Sequence, residues 1–171
     1  AVVSSAEQRA ARNREACTAA RIADLYAAAP AITGKLELEY EGELKGADAV
    51  VREIIRSAVG KVFLHRLAQA NLQPVIQWFE MGGELKLPEA ASADEELSAL
   101  RGIQGLLDHV KALDANPSDA PLAAAAGEFI LEGLWAQKRI SRNEERGFFA
   151  ERTKPAEQRE PPGRPPRRPY N

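Results

Sequence analysis

Ala49-Val50-Val51-Arg52-Glu53-Ile54-Ile55-Arg56-Ser57-Ala58-Val59-Gly60-Lys61-Val62-Phe63-Leu64-His65-Arg66-Leu67 is the stretch on which the fold turns. Val51, Ile54, Ile55, Ala58 and Val62, with Phe63 two turns beyond Ile55, recur at three- and four-residue spacing and make one apolar stripe. Arg52, Glu53, Arg56 and Lys61 are left to water. The segment therefore reads as a core helix. Two alternating stretches flank it, Leu36-Glu37-Leu38-Glu39-Tyr40 before and Glu84-Leu85-Lys86-Leu87 after, and their period of two predicts strands that pair with each other. Two short strands are marginal alone, so helices must cover their apolar face. The expected fold class is mainly α, a helical bundle-like domain with a small two-stranded β element of either strand direction.

Bulk properties narrow the field. A chain of 171 residues is the size of one domain plus tails and can bury a core without staples. Its formal charge of -2 gives no overall field toward nucleic acid or an acidic membrane. Cys17, the single cysteine, cannot form an internal bridge, which suits a reducing, cytoplasmic setting. No window approaches the length of a membrane span, and the Ala120–Ala126 run is broken by Pro121. The chain opens on Ala1 in a helix-like pattern, so it is expected to be a piece of a longer protein whose chemistry lies upstream.

Along the chain, Ser4-Ser5-Ala6-Glu7 fits a capping box, and an Ala-, Arg- and Glu-rich helix is expected from Ala6 to Ala29, ended by Pro30. Arg9, Arg12, Arg14 and Arg21 read as its solvated basic face. Asn71 caps a short apolar helix over Leu72 to Glu80, with Pro74 in the first turn and Gly82-Gly83 closing it. Ser92-Ala93-Asp94-Glu95 is a second capping box, opening a helix whose stripe runs through Leu97, Leu100, Ile103, Leu107, Val110 and Leu113. A last long helix is expected over about Asp119 to Lys138. Beyond Arg139 the pattern weakens, and the tail from Arg152 is Pro-rich and basic, which favours extended, hydrated chain.

Chemistry is sparse. Thr33-Gly34-Lys35 runs into Leu36 with no hydroxyl after the lysine, so it is no phosphate-binding loop. The acids Glu37, Glu39, Glu41 and Glu43 lie along an extended edge and do not converge as metal ligands must. His65 and His109 lack zinc-ligand spacing, and Cys17 lacks a base. These residues give no catalytic or metal site, and by themselves they describe a helical interaction domain.

Thr33-Gly34-Lys35-Leu36-Glu37-Leu38-Glu39-Tyr40-Glu41-Gly42 followed by Ile54-Ile55-Arg56-Ser57-Ala58-Val59 resembles the C-terminal part of the magnesium-chelatase-like (MoxR/chelatase-type) AAA+ ATPases. Val75-Ile76-Gln77-Trp78-Phe79-Glu80-Met81-Gly82, Gly102-Ile103-Gln104-Gly105-Leu106 and Glu128-Phe129-Ile130-Leu131-Glu132-Gly133-Leu134 are similar to that family in order and spacing, from about Val3 to Arg142. The resemblance implies an upstream module that binds ATP and Mg2+, a homo-oligomeric ring and a von Willebrand factor type A partner. It assigns residues 1–30 to the end of a helical lid and 31–150 to a C-terminal mostly helical domain; the tail, 151–171, lies outside it and reads as disordered and basic from its composition. Ser4, Ala6, Glu7 and Arg9 match the lid, which makes Arg9 the candidate for proximity to nucleotide; the chain itself is expected to be non-catalytic. The alternative function is a free-standing helical adaptor that recruits a partner, and a third is nucleic-acid association through the basic tail.

Overall fold

The computed structural model describes residues 1–33 and 46–151. Its elements are α1 (Val2–Asn13), α2 (Ile22–Ala27), α3 (Pro30–Thr33), α4 (Ala47–Arg66), α5 (Gln73–Glu80), α6 (Ala93–Arg101), a 3-10 helix (Leu107–Leu113), α7 (Ala120–Ala136), β1 (Ile140–Asn143) and β2 (Gly147–Ala150). The fold is a mainly helical bundle with a small two-stranded antiparallel β element. Among the described residues no helix is long and apolar enough to cross a membrane.

Helix α7 is the centre. From Ala123 to Leu134 every side chain except Ala125 and Phe129 is buried, because small residues let neighbours approach on all sides. Its neighbours include α4, α6, the 3-10 helix, β1 and α2. Helix α4 lies closest where Gly133 faces Phe63: a methyl on Gly133 would sit 2.0 Å from the Phe63 ring. Gly60 meets the end of α7 in the same way, and its carbonyl accepts from Gln137 Nε2 at 3.2 Å.

Helix α4 forms as its sequence predicts, and of the expected stripe it buries Val51 and Phe63 but not Ile54, Ala58 or Val62. Val51, Val59, Gly60 and Phe63 face the core, whereas Ile54 is 56% and Val62 51% exposed, with Ala58 exposed between them. Two apolar rows compete on this helix, and the row carrying Gly60 wins because it allows the shorter approach to α7.

The N-terminal helix also differs from expectation. It starts at Val2, with no cap from Ser4, and ends at Asn13 with Arg14 left-handed at φ 56° while Glu15 N–H reaches back to Ala10. Residues 15–21 are irregular before α2 begins. Pro30 opens α3 instead of ending a long helix, a first-turn place that suits its missing N–H. The helix opened by Ser92 is capped as expected, Glu95 N–H donating to Ser92 Oγ at 3.2 Å. It then stops at Arg101, and the chain turns through Gly105 at φ 79° into the 3-10 helix, which shifts the buried row to Ile103, Leu106 and Val110. Asn71 Oδ1 accepts from Gln73 N–H at 3.2 Å, and Pro74 sits in the first turn of α5.

The β element among the described residues lies near the C-terminal end of the described chain. β1 and β2 pair antiparallel, Ile140 with Ala150 and Arg142 with Phe148, across the turn Glu144-Glu145-Arg146. Gly147 at φ 72° closes that turn, and Arg146 N–H donates to Asn143 Oδ1 at 2.7 Å. Leu85 forms a two-bond bridge with Phe148 (2.9 and 2.8 Å); its expected partner Leu36-Leu38-Tyr40 lies outside the described residues. A methyl at Gly147 would lie 2.2 Å from the Leu85 carbonyl oxygen, so only glycine fits there. Two four-residue strands are too short for alternation to announce them.

Candidate functional site

The densest chemistry lies between α1, α2, α6 and α7. Arg9, Arg21, Asp24, Glu96, Glu128 and Glu132 are all buried. Arg9 and Arg21, expected on a solvated face, point inward because α1 and α2 have little apolar surface with which to dock and are seated by charge instead. Arg12 and Arg14 are exposed.

Asp24 gathers three donors. Ser5 Oγ gives to Oδ1 at 2.8 Å, while Arg9 Nη2 at 3.0 Å and Arg21 N–H at 2.9 Å give to Oδ2. Burial alone would raise this carboxyl, but the hydrogen bonds from Arg21, Arg9 and Ser5 together outweigh it and hold it below its ordinary value. Arg9 Nη2 also donates to the Ala19 carbonyl at 2.9 Å, fixing the irregular segment between the two helices.

Arg21 Nη1 meets Glu96 Oε2 at 2.5 Å and the Ala91 carbonyl at 2.9 Å, tying the start of α2 to α6. Burial pulls Arg21 down against the charge of Glu96. Glu128 Oε1 accepts Ala23 N–H at 3.0 Å, an acceptor for one of the free amides at the N-terminal end of α2. Burial pushes Glu128 up, opposed by that hydrogen bond, and pushes Glu96 to about 7, helped by the charge of Glu128.

One turn further along α7, Glu132 pairs with Arg142 of β1 and accepts from Tyr26 Oη at 3.4 Å. The Arg142 guanidinium lies over Tyr26, Trp135 and Phe148 at 5.1–5.9 Å from the ring centres. Arg52 covers Tyr26 at 5.7 Å and Arg56 covers Trp135 at 5.2 Å. Burial raises the Tyr26 phenol against the charges of Arg142, Arg56 and Arg52. Tyr26, Arg52, Arg56, Trp135, Arg142 and Phe148 wall a cleft of about 760 Å³ whose lining includes Arg21, Glu96 and Glu128. The arrangement fastens elements together; its carboxylates accept from backbone amides, guanidinia and a phenol.

The other residues singled out by sequence stand apart. Cys17 and His65 are exposed. His109 Nε2 donates to the Asn71 carbonyl at 3.0 Å, linking the 3-10 helix to the start of α5. The acidic run Glu37 to Glu43 and the tail from Arg152 lie outside the described residues. Among the described residues no group of three or more His, Cys, Asp and Glu side chains is placed to hold a metal ion.

Sequence reasoning missed Asp24, Glu96, Glu128 and Glu132. A signal was present: Glu128 and Glu132 sit four apart in a segment otherwise apolar, Gly127 to Trp135, and a carboxylate pair on such a helix needs buried donors. Compared with known protein families, curated proteins and solved structures, the chain has no match.

Proposed function

We propose that this chain is the C-terminal, non-catalytic region of a cytoplasmic magnesium-chelatase-like AAA+ ATPase, where it supports ring assembly and couples ATP-driven remodelling or metal insertion to a partner. The sequence resemblance supplies the family. The observation that carries the coupling role is the buried junction: the segment likened to a lid end is fastened to α6 and α7 through Arg9–Asp24, Arg21–Glu96 and the Glu128 contact. While these pairs are closed, movement of the lid end is passed to α6 and α7. Arg9, the candidate for proximity to nucleotide, acts here as a tie between the lid end and the residues that follow it. ATP and Mg2+ belong to the upstream module in this reading.

The test compares the full product of the encoding gene, the same product cut before residue 1, and the present chain alone. ATPase activity and ring formation by the full product, both reduced by the cut, with no hydrolysis by the chain alone, is the expected result. A product with no ATPase module would instead select the adaptor reading, and hydrolysis by the chain alone at a motor-like rate would overturn the proposal.

A further inference from the structure

Five buried ionisable groups share the junction: Arg9 from α1, Arg21 and Asp24 at the start of α2, Glu96 from α6 and Glu128 from α7. Two positive charges face three negative ones, one more than a buried space accommodates unless a carboxyl carries a proton. Further charges stand around these five: Arg52, Glu53, Arg56 and Lys86 line the same cleft as Glu96 and Glu128, and Arg142 also acts on Glu128. Glu132 is matched by Arg142, and half-buried Glu15, in the segment between α1 and α2, adds a further carboxylate that accepts Ala93 N–H at 2.5 Å.

The geometry says where the proton belongs. Both oxygens of Asp24 are taken by donors. Glu96 turns Oε2 to Arg21, and Glu128 turns Oε1 to Ala23 N–H. Glu96 Oε1 and Glu128 Oε2 are buried with no hydrogen-bond partner among the described residues, as are Arg21 Nη2, Glu15 Oε2 and Thr18 Oγ1. A proton on either carboxyl cancels the excess charge and turns an unpaired acceptor into a donor.

We propose that the Arg21–Glu96–Glu128 junction is a proton-operated latch: one proton retained on the two carboxylates seats α1 and α2 against α6 and α7, and its loss loosens that N-terminal segment while the rest of the bundle stays folded. The segment is suited to separate opening, since its buried apolar side chains are few, Ala6 and Ala10 in α1 and Ile22 in α2. Burial and the Glu128 charge raise Glu96 from an ordinary 4.5 to about 7, against Arg21 and Arg9; Glu128 is raised by burial, against Ala23 N–H, Arg21 and Arg142. The seated state thus holds a proton that the released state gives up, and seating is strongest below the ordinary value. It weakens as pH rises toward about 7 and levels off above. The latch is a property of this chain alone and stands whichever protein carries it.

Hydrogen exchange on the whole chain, corrected for the intrinsic effect of pH, tests this between pH 5 and 8. Protection of α2 amides is expected to fall about tenfold per pH unit below about pH 7, while amides of Ile130 and Leu131 in α7 keep theirs. In Glu96→Gln, and separately in Glu128→Gln, the fall should flatten. A carboxyl carbon titrating near pH 7 in the unaltered protein, absent from Glu96→Gln, is the second readout and needs no variant to be seen. Flat α2 protection in the unaltered protein, loss of α2 and α7 protection in step, an undiminished slope in both variants, or no carboxyl titrating above pH 6 would each overturn the latch.

Discussion

Replacing Gly133 by alanine tests whether α4 and α7 meet as closely as the structure has them. The new methyl would lie 2.0 Å from Phe63 Cδ2, 2.3 Å from Cγ and 2.8 Å from Cβ. Carbon atoms in contact sit about 3.5–4.0 Å apart, so the ring must retreat by roughly 1.5 Å. The clash involves the root of the side chain, so no rotation about χ2 relieves it, and the helices must part. Phe63 is buried and meets Phe129 at 6.5 Å between ring centres, so the shift disturbs that contact too. Overpacking of this kind costs about 1–3 kcal/mol, here at the upper end, and the helix preference of alanine over glycine returns about 1 kcal/mol. A net loss of about 2 kcal/mol is expected, or about 4–8 °C in Tm for a chain of this size, read by urea and thermal unfolding. The sign should reverse without the ring. Phe63→Ala costs about 3–5 kcal/mol by itself, and adding Gly133→Ala to it should recover up to about 1 kcal/mol, since only the helix preference is left. If Gly133→Ala alone is as stable as the unaltered protein, or the double variant shows no reversal, the close approach at this point is wrong.

Ile54→Ser and Val62→Ser should each change stability by no more than about 0.5 kcal/mol, because both side chains are exposed; a loss of 2 kcal/mol or more in urea unfolding would return them to the core. Asp24→Ala strands the Arg9 guanidinium in a buried space and should cost about 3–5 kcal/mol, measured by the same unfolding. In the unaltered protein the low-lying Asp24 contributes stability above the ordinary carboxyl value, lost as pH falls through that range, so stability measured against pH should drop at the acid end and Asp24→Ala should lack that drop. Ser92→Ala removes the acceptor of Glu95 N–H and should cost about 1 kcal/mol, seen as a lower urea midpoint.

What the sequence makes legible is three of the helix starts, though not that of α1, which begins at Val2 without a cap from Ser4. Ser92 with Glu95, Asp119 accepting Leu122 N–H, and Asn71 before Pro74 act through neighbours within three residues, so local pattern suffices. Which face a helix buries is decided by its partner. Helix α4 carries Ile54, Ala58 and Val62 on one row and Val51, Val59 and Phe63 on another, and nothing within the segment says that Gly133 waits opposite the second. The break at Arg14 is equally non-local. A left-handed arginine costs about 1 kcal/mol or more, and the sequence around it favours continued helix. The break is held by contacts far along the chain, Asn13 Nδ2 with the Ala90 carbonyl at 2.9 Å and Glu15 with Ala93 N–H. The site was hidden for the same reason: basic residues at the surface of an isolated helix look identical to basic residues awaiting Asp24 and Glu96.

The junction also answers a question that apolar burial leaves open, namely what fixes the register of α1. The buried residues of this helix are Ala6, Arg9 and Ala10, and two methyl groups make nearly the same contact after a slide of one turn. Hydrophobic burial of that size, about 1.5 kcal/mol for two methyls at about 0.8 kcal/mol per carbon, cannot discriminate between registers. Charges can. A slide of one turn moves Arg9 about 5.4 Å away from Asp24 and the Ala19 carbonyl, leaving a buried guanidinium and a buried carboxylate unpaired. Similar volumes of leucine would bind the segment more tightly yet tolerate the slide. Arg9, Arg21, Asp24, Glu96 and Glu128 thus act less as a source of stability than as the choice of a single seating, and a proton among the carboxylates decides how firmly that seating is held.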